Sequence, residues 1–222
     1  MCGRFTLAKT DEKILQYLYD QFEIKKMDNS VSFPKYNIAP GQKILSVVKG
    51  KDGFRVGEIK WGFVPSFSKD ESIGFKMINA RGETVDSKVS FKNSFAHRRC
   101  LIVADGYYEW SDKTPYRIVR TNNELFMMAG LWEKCTKDDG TVLYTCTIIT
   151  TSANNKLSEI HDRMPVILDN TDAGKWLSPE SSVNDIKNLI KSYDEDSLEY
   201  YEVSNYVNKA SNQDEKCIEG IK

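Results

Sequence analysis

The chain of 222 residues is long enough to bury a substantial core, as one large domain or two small ones. Its 40% hydrophobic and 28% charged residues are ordinary for a globular protein and exclude a disordered or fibrous chain. A formal net charge of −1 excludes a protein coated in basic charge, although it leaves room for a local basic groove.

The first predicted element is a helix over residues 10–26. Apolar residues recur there at helical spacing after a Thr-Asp cap signal. Runs rich in β-branched and aromatic residues then predict six strands, and Asp-Gly pairs at 52–53 and 139–140 predict hairpin turns. The strand runs are 43–49, 54–60, 100–104, 116–120, 125–130 and 143–150.

Two more helices are predicted, a short one over 152–160 and another over 182–193. Strands dominate the middle of the chain, which predicts an α+β fold with a mainly antiparallel, twisted, barrel-like sheet flanked by helices. Since no stretch has the composition of a linker, we expect one domain over residues 2–208, followed by a C-terminal tail over 209–222.

The five Cys show no CxxC motif and no paired spacing, which favours a reducing compartment over a disulfide framework. The two His and the Cys lack the spacing of a zinc site, so we expect no metal and no cofactor. We also find no signal peptide, membrane span or lipidation signal. The expected location is therefore cytoplasmic, nucleoid-associated in a bacterium or nuclear in a eukaryote.

Cys2 is the residue with the most distinctive chemistry. Initiator methionine is normally removed before a small residue, and its loss gives Cys2 a free α-amine beside the thiol. These groups titrate at about 8 and about 8.5, so both are partly nucleophilic at neutral pH. The amine forms a Schiff base with an aldehyde, and the thiol then closes a thiazolidine ring. The alternative is a Cys that serves as a small buried hydrophobe.

A second polar segment follows the apolar run that ends at Ile78. Asn79 is suited to hydrogen-bond a substrate oxygen or the N-terminal amine, and Arg81 is suited to a bidentate grip on a phosphate. An Asx turn with a surface ion pair to Glu83 explains the same residues without any function.

Two further segments carry acid–base candidates. Glu109 stands between Tyr108 and Trp110, and a desolvated carboxyl there has a raised pKa that suits proton transfer. The same alternation also allows Glu109 to face solvent, while Trp110 offers a face on which an unpaired base stacks. His161 is a candidate acid–base or an orienter of a ring-opened sugar oxygen, although a lone His is often structural. His97 is assigned to the surface.

Seven blocks of the sequence resemble the SOS response-associated peptidase family, the abasic-site processing proteins. They occur in the family's order and span residues 2 to about 177. The blocks are CGR at 2–4, YNIAP at 36–40, WGFVP at 61–65, NAR at 79–81, ADGYYEW at 104–110, AGLWE at 129–133 and IHDRMP at 160–165.

The resemblance implies a monomeric protein that senses abasic sites in single-stranded DNA, including those at single-strand/double-strand junctions. It implies that Cys2 forms a thiazolidine DNA–protein crosslink with the abasic aldehyde. Asn79 would position the nucleophile or the sugar, Glu109 would transfer protons, and His161 would assist opening of the deoxyribose ring. The enzyme class is lyase- or hydrolase-like, with peptidase-like removal of Met1.

The resemblance also implies DNA contacts. Phosphates would be held by three arginines, and three aromatic residues would line the DNA path. The family often has Trp at the position of Phe67 and commonly Ala or Val at Gly82. The implied contacts are Arg4, Arg81, Arg163, Trp61, Phe67 and Trp110.

Two other functions remain open from the residues alone. An N-terminal-nucleophile cysteine peptidase or amidase would pair Cys2 with His161 as its base and use Asn79 as an oxyanion donor. A non-covalent single-strand binding module would use the aromatic residues as stacking platforms and would bind intact and abasic strands equally. The peptidase gives the nearby Arg and Trp residues no task, so we rank it second.

Overall fold

The computed structural model of the protein describes residues 2–27, 32–137 and 139–221. Within these ranges it has the α+β architecture that the sequence predicts. The strands are β1 (Arg4–Leu7), β2 (Lys35–Ile38), β3 (Lys43–Gly50), β4 (Gly53–Trp61), β5 (Asn79–Arg81), β6 (Arg99–Ala104), β7 (Gly106–Ser111), β8 (Thr114–Arg120), β9 (Phe126–Thr136), β10 (Val142–Ser152), β11 (Arg163–Pro165), β12 (Ile167–Leu168) and β13 (Leu198–Glu202). The helices are α1 (Asp11–Phe22), α2 (Lys92–His97), α3 (Asn155–Ser158), α4 (Asn170–Leu177) and α5 (Val183–Asn188).

Five of the strands close into a barrel. Antiparallel pairs join β4 to β3, β3 to β6, β6 to β9 and β9 to β10. A parallel pair between β10 and β4 completes the ring. Closure satisfies the backbone hydrogen bonds that an open sheet would leave at its edges. The expectation of a mainly antiparallel, barrel-like core is confirmed.

The end of β10 beyond the barrel carries two short strands, β5 in parallel and β11 antiparallel. A second sheet has the strand order β13-β8-β7-β1-β2. An edge-on contact between the rings of Phe5 and Trp61, with centroids 5.3 Å apart, joins β1 to the end of β4. The N-terminal strand therefore lies against the end of the barrel that carries β5 and β11.

The predicted helices exist but are shorter than their apolar patterns. Helix α1 begins after Thr10, whose side chain accepts a hydrogen bond from the Lys13 backbone N–H. It ends at Phe22 because Glu23 adopts a left-handed conformation (φ 58°), and Ile24 then turns back to bury its side chain. The helix predicted over 182–193 ends at Asn188, and the one predicted over 152–160 is a single turn.

Both predicted hairpin turns are confirmed. Gly50 pairs with Gly53 across the β3–β4 turn, and Gly53 has a φ of 124° that favours glycine. The β9–β10 hairpin closes around Gly140, which has a φ of 81°. None of the helices in the described parts of the chain is long and apolar enough to cross a membrane.

The C-terminal residues that the sequence sets apart as a tail pack onto the second sheet. Cys217 is fully buried, and Gly220 forms a β-bridge with Val203. The Tyr108 hydroxyl lies 3.1 Å from the carbonyl oxygen of Cys217. These contacts make a small second core beside β7.

Candidate functional site

Cys2 lies just before β1, and its side chain is fully buried. The Asn79 side-chain amide donates a 2.8 Å hydrogen bond to the carbonyl oxygen of Cys2. Asn79 itself is fixed at the start of β5, where it pairs with Ile148 of β10. Its Oδ1 atom is buried and has no hydrogen-bond donor among the described residues, so it is available to a bound group.

Glu109 reaches the same place from β7. Arg4 pairs with Tyr108 in the antiparallel register. Continued by one pair, the same register sets Glu109 beside Gly3. The Glu109 side chain is buried rather than turned to solvent, and burial raises its pKa from 4.5 to about 7. Burial, reinforced by the charge of Glu109, raises the pKa of the Cys2 thiol well above its ordinary value.

His161 lies in the loop between α3 and β11. Its Nδ1 atom accepts a 2.9 Å hydrogen bond from the backbone N–H of Arg163, which is the arrangement of a neutral imidazole. The same Nδ1 lies 2.9 Å from Asp162 Oδ1, a contact that favours the protonated form. Desolvation outweighs that contact and lowers the pKa of His161, so we assign the neutral state. The charge of Asp162 also contributes to the raised pKa of Glu109.

Arg163 does not present its guanidinium to the surface. It is buried, and its two terminal nitrogens bind the two carboxylate oxygens of Glu83 at 2.5 and 2.9 Å. A further bond of 2.8 Å goes to the Thr150 carbonyl oxygen. The charge of Arg163 is therefore compensated inside the protein, and the role of Arg163 as a phosphate contact stays a prediction. Arg81, in contrast, is exposed.

The three aromatic candidates have different environments. Trp61 is fully buried, and its indole N–H donates to the Ile78 carbonyl oxygen at 2.9 Å. In the structure it supports the site from the core, and its role in lining the DNA path stays a prediction. Phe67 is 66% exposed, and Trp110 is half-buried beside Glu109.

Arg4 lies at the edge of this region. Its guanidinium is over the Trp110 ring, with Cζ 5.9 Å from the ring centroid. One terminal nitrogen donates to Asn37 Oδ1 at 2.6 Å. Arg4 remains partly exposed, unlike Arg163.

The structure adds Tyr107, which the sequence patterns did not single out, and it explains the glycine at position 82. Tyr107 is buried, and the charges of Cys2 and Glu109 help to raise its pKa. Gly82 has no room for a side chain, since an added Cβ would lie 2.2 Å from Ile190 Cγ2. That packing explains the glycine at position 82. The sequence could not show it, because Ile190 lies far away along the chain.

Known proteins resemble the chain over most or all of its length. Residues 1–210 match the family model described as SOS response associated peptidase (SRAP). The chain is 43% identical over 226 residues to the abasic site processing protein YoqW of Bacillus subtilis, covering 99% of each chain. It is 28% identical to the abasic site processing protein YedK of Escherichia coli, covering 100% of each chain.

A solved structure is similar over the whole length. The crystal structure of a protein from Bacteroides thetaiotaomicron superposes with a TM-score of 0.88 at 26% identity, covering 100% of each chain. The sequence match and the shared fold lead to one conclusion. The chain belongs to the SOS response associated peptidase family.

Proposed function

We propose that this chain processes abasic sites in single-stranded DNA by forming a covalent thiazolidine through Cys2 once Met1 is removed. The observation that carries the proposal is the position of Cys2, held by Asn79 next to a buried Glu109 with a pKa of about 7. Relatives that share 43% of the sequence are named abasic site processing proteins. Met1 lies outside the described residues.

The chemistry begins at the α-amine of Cys2. The amine attacks the aldehyde carbon of the ring-opened abasic sugar and gives a carbinolamine, which loses water to form an imine. The thiol then adds to the imine carbon and its proton passes to the imine nitrogen, so the overall reaction releases one water molecule. Glu109 titrates near neutrality and can give a proton to the departing hydroxyl and take one from the amine.

His161 is suited to the step before this addition. Most of an abasic sugar is a closed hemiacetal, and opening it requires proton transfer at the ring oxygen and the anomeric hydroxyl. Because Nδ1 accepts from the Arg163 backbone N–H, the neutral imidazole carries its proton on Nε2 and can donate it to the ring oxygen. The lowered pKa of His161 keeps it in that form at neutral pH.

The DNA strand would follow the exposed candidates. Arg81 is open to solvent at the end of β5, two residues beyond Asn79. Arg4 and Trp110 supply a cation and an aromatic face on the other side of Cys2. Phe67 offers an exposed ring. In this proposal Trp61 and Arg163 act only as internal supports.

The test uses a single-stranded oligonucleotide that carries one natural abasic site. The protein is incubated with it and run on a denaturing gel, and intact mass spectrometry shows whether the chain starts at Cys2. We expect a heat-stable adduct with wild-type protein and none with the Cys2→Ser variant. Cys135→Ser is the matched control, because Cys135 is also buried but lies at the far end of β9.

A Cys2→Ser variant that gives the full amount of heat-stable adduct would overturn the proposed chemistry. Equal binding of intact and abasic strands without any adduct would favour a non-covalent binding module. Turnover of an amide substrate, insensitive to DNA, would favour a peptidase or amidase.

We include removal of Met1 by the chain itself in the same proposal. Protein made by cell-free translation without methionine aminopeptidase separates self-processing from processing by a host enzyme. The wild-type chain is expected to lose Met1 and the Glu109→Gln variant to retain it. Retention of Met1 by the wild-type chain would show that another enzyme removes it.

A further inference from the structure

The C-terminal segment, residues 203–221, contacts Arg4 and Trp110, the cation and the aromatic ring on the second sheet near Cys2. Two consecutive carbonyl oxygens of this segment, those of Val207 and Asn208, accept hydrogen bonds from the Arg4 guanidinium at 2.9 and 3.3 Å. The side chain of Asn208 accepts a 2.8 Å hydrogen bond from the indole N–H of Trp110. One short turn therefore fixes both an arginine and an aromatic ring.

Asn37 holds this turn against the sheet from the inside. It is fully buried in β2, and its Oδ1 atom accepts from Arg4 at 2.6 Å. Its side-chain amide is shared among carbonyl oxygens of the C-terminal segment, at distances of 3.0 to 3.2 Å. These oxygens belong to Val207, Lys209 and Asn212.

Within the described parts of the chain, the hydrogen bonds of Arg4 leave one edge of its guanidinium unused. An arginine side chain has five N–H donors, of which three are directed at Asn37, Val207 and Asn208. The bonds from Nη1 to Val207 and from Nη2 to Asn208 occupy the end of the guanidinium that the two terminal nitrogens form. The remaining donors, on Nε and on one side of Nη2, are parallel and suit two oxygens of one phosphate.

We propose that the C-terminal segment is a buttress that holds Arg4 and Trp110 ready to receive a DNA strand, with Asn208 and Asn37 as positioning residues. This inference rests on the proposed function. It goes beyond it because it assigns a role in DNA recognition to a segment that touches no reacting atom.

The physical reason is conformational entropy. A free arginine or tryptophan side chain loses rotamer freedom when it binds a strand, and that loss weakens binding. Here the protein has already restricted both side chains through hydrogen bonds to Asn208. Removing the Asn208 side chain releases the Trp110 ring, while the backbone carbonyl that binds Arg4 remains.

The experiment measures non-covalent binding, so that it does not depend on the covalent step. A fluorescent single-stranded oligonucleotide with a tetrahydrofuran abasic analogue has no aldehyde, and its binding is followed by anisotropy. The Asn208→Ala variant is expected to raise the half-saturating protein concentration about fivefold, since stacking on a released ring is weaker. Asn122→Ala, at an exposed turn between β8 and β9, is the matched control and is expected to bind like wild type.

A double-mutant cycle then shows whether Asn208 acts through Trp110. Trp110→Phe keeps an aromatic face and removes the N–H, so adding Asn208→Ala to it should change binding no further. With a natural abasic strand at saturating concentration, Asn208→Ala should crosslink at the wild-type rate. Thermal unfolding of each variant confirms that it is folded.

Three results would overturn the buttress. The first is that Asn208→Ala binds the analogue strand like wild type, and the second is that Asn208→Ala weakens binding equally in wild type and in Trp110→Phe. The third is that the wild-type protein does not bind the analogue strand. Failure of the proposed chemistry is distinct. In that case the analogue strand binds and responds to Asn208→Ala, but the natural abasic strand gives no adduct.

Discussion

The side-chain amide of Asn79 donates a 2.8 Å hydrogen bond to the carbonyl oxygen of Cys2, a residue 77 positions earlier in the chain. This bond joins the residue just before β1 of the second sheet to the short strand β5 on the barrel. It fixes the backbone of Cys2 at the point where, in the proposed mechanism, the amine and thiol meet the aldehyde. A carbonyl held in this way limits rotation about the Cα–C bond of Cys2 and so fixes the direction in which the whole residue faces.

Replacing Asn79 with Ala is expected to slow adduct formation. The Cys2 carbonyl loses its donor, and the N-terminal residue samples orientations in which the amine is misplaced. A lost hydrogen bond of this kind corresponds to a decrease of about tenfold in rate. The measurement is single-turnover crosslinking at saturating abasic DNA, with Asn122→Ala as the control. An Asn79→Ala rate equal to wild type would remove Asn79 from the mechanism.

The rate of crosslinking is expected to depend on pH through Glu109. Its pKa of about 7 means that the carboxyl loses its proton as the pH rises through neutrality. The α-amine, with an ordinary pKa of about 8, becomes nucleophilic over a higher range, so the profile should be bell-shaped. Glu109→Gln should form the adduct more slowly, and its rate should no longer fall at alkaline pH, because it has no carboxyl that loses a proton. If that variant keeps the wild-type profile, another group supplies the proton.

The stability of the protein is expected to change with pH through the same carboxyl. Its pKa is about 7 in the folded state against 4.5 in the unfolded state, so the folded state binds more protons between these values. The free energy of unfolding therefore falls as the pH rises from about 4.5 to about 7, by an amount of the order of 3 kcal/mol.

Urea unfolding of wild type and Glu109→Gln at several pH values tests this effect. The Gln variant carries no charge there, so it should be the more stable protein at about pH 8 and should lose that advantage at about pH 4.5. A gap between the two proteins that stays constant across this range would contradict the buried, proton-binding state of Glu109.

Glu83 is expected to stabilise the fold through Arg163. Glu83→Gln removes the charge that compensates a buried guanidinium, and because Glu83 is half exposed we expect a loss of about 1 to 2 kcal/mol in the free energy of unfolding. Asp52→Asn is the control, since the Asp52–Arg55 pair is exposed on both sides. Its effect should be below about 0.5 kcal/mol. Equal urea midpoints for all three proteins would show that the buried pair is not stabilising.

Local patterns were sufficient for six of the thirteen strands in the described residues and for both hairpins, but not for short strands such as β1, β5 and β11. Alternating apolar residues and Asp-Gly pairs predict β3 and β4 because strand and turn formation depend on neighbours in sequence. Cys2 could be singled out for its aminothiol chemistry alone, since no structure is needed to know that loss of Met1 would turn its nitrogen into an amine.

The tertiary structure alone decided which polar residues are available. Arg4, Arg81 and Arg163 look alike in sequence, but only Arg163 is neutralised by Glu83, 80 positions away. Trp61 was assigned to the DNA path, and its burial follows from contacts with β1 and Ile78. Burial and pairing depend on strands brought together from distant parts of the chain, whereas the aminothiol proposed for Cys2 follows from its own covalent structure and its position after Met1.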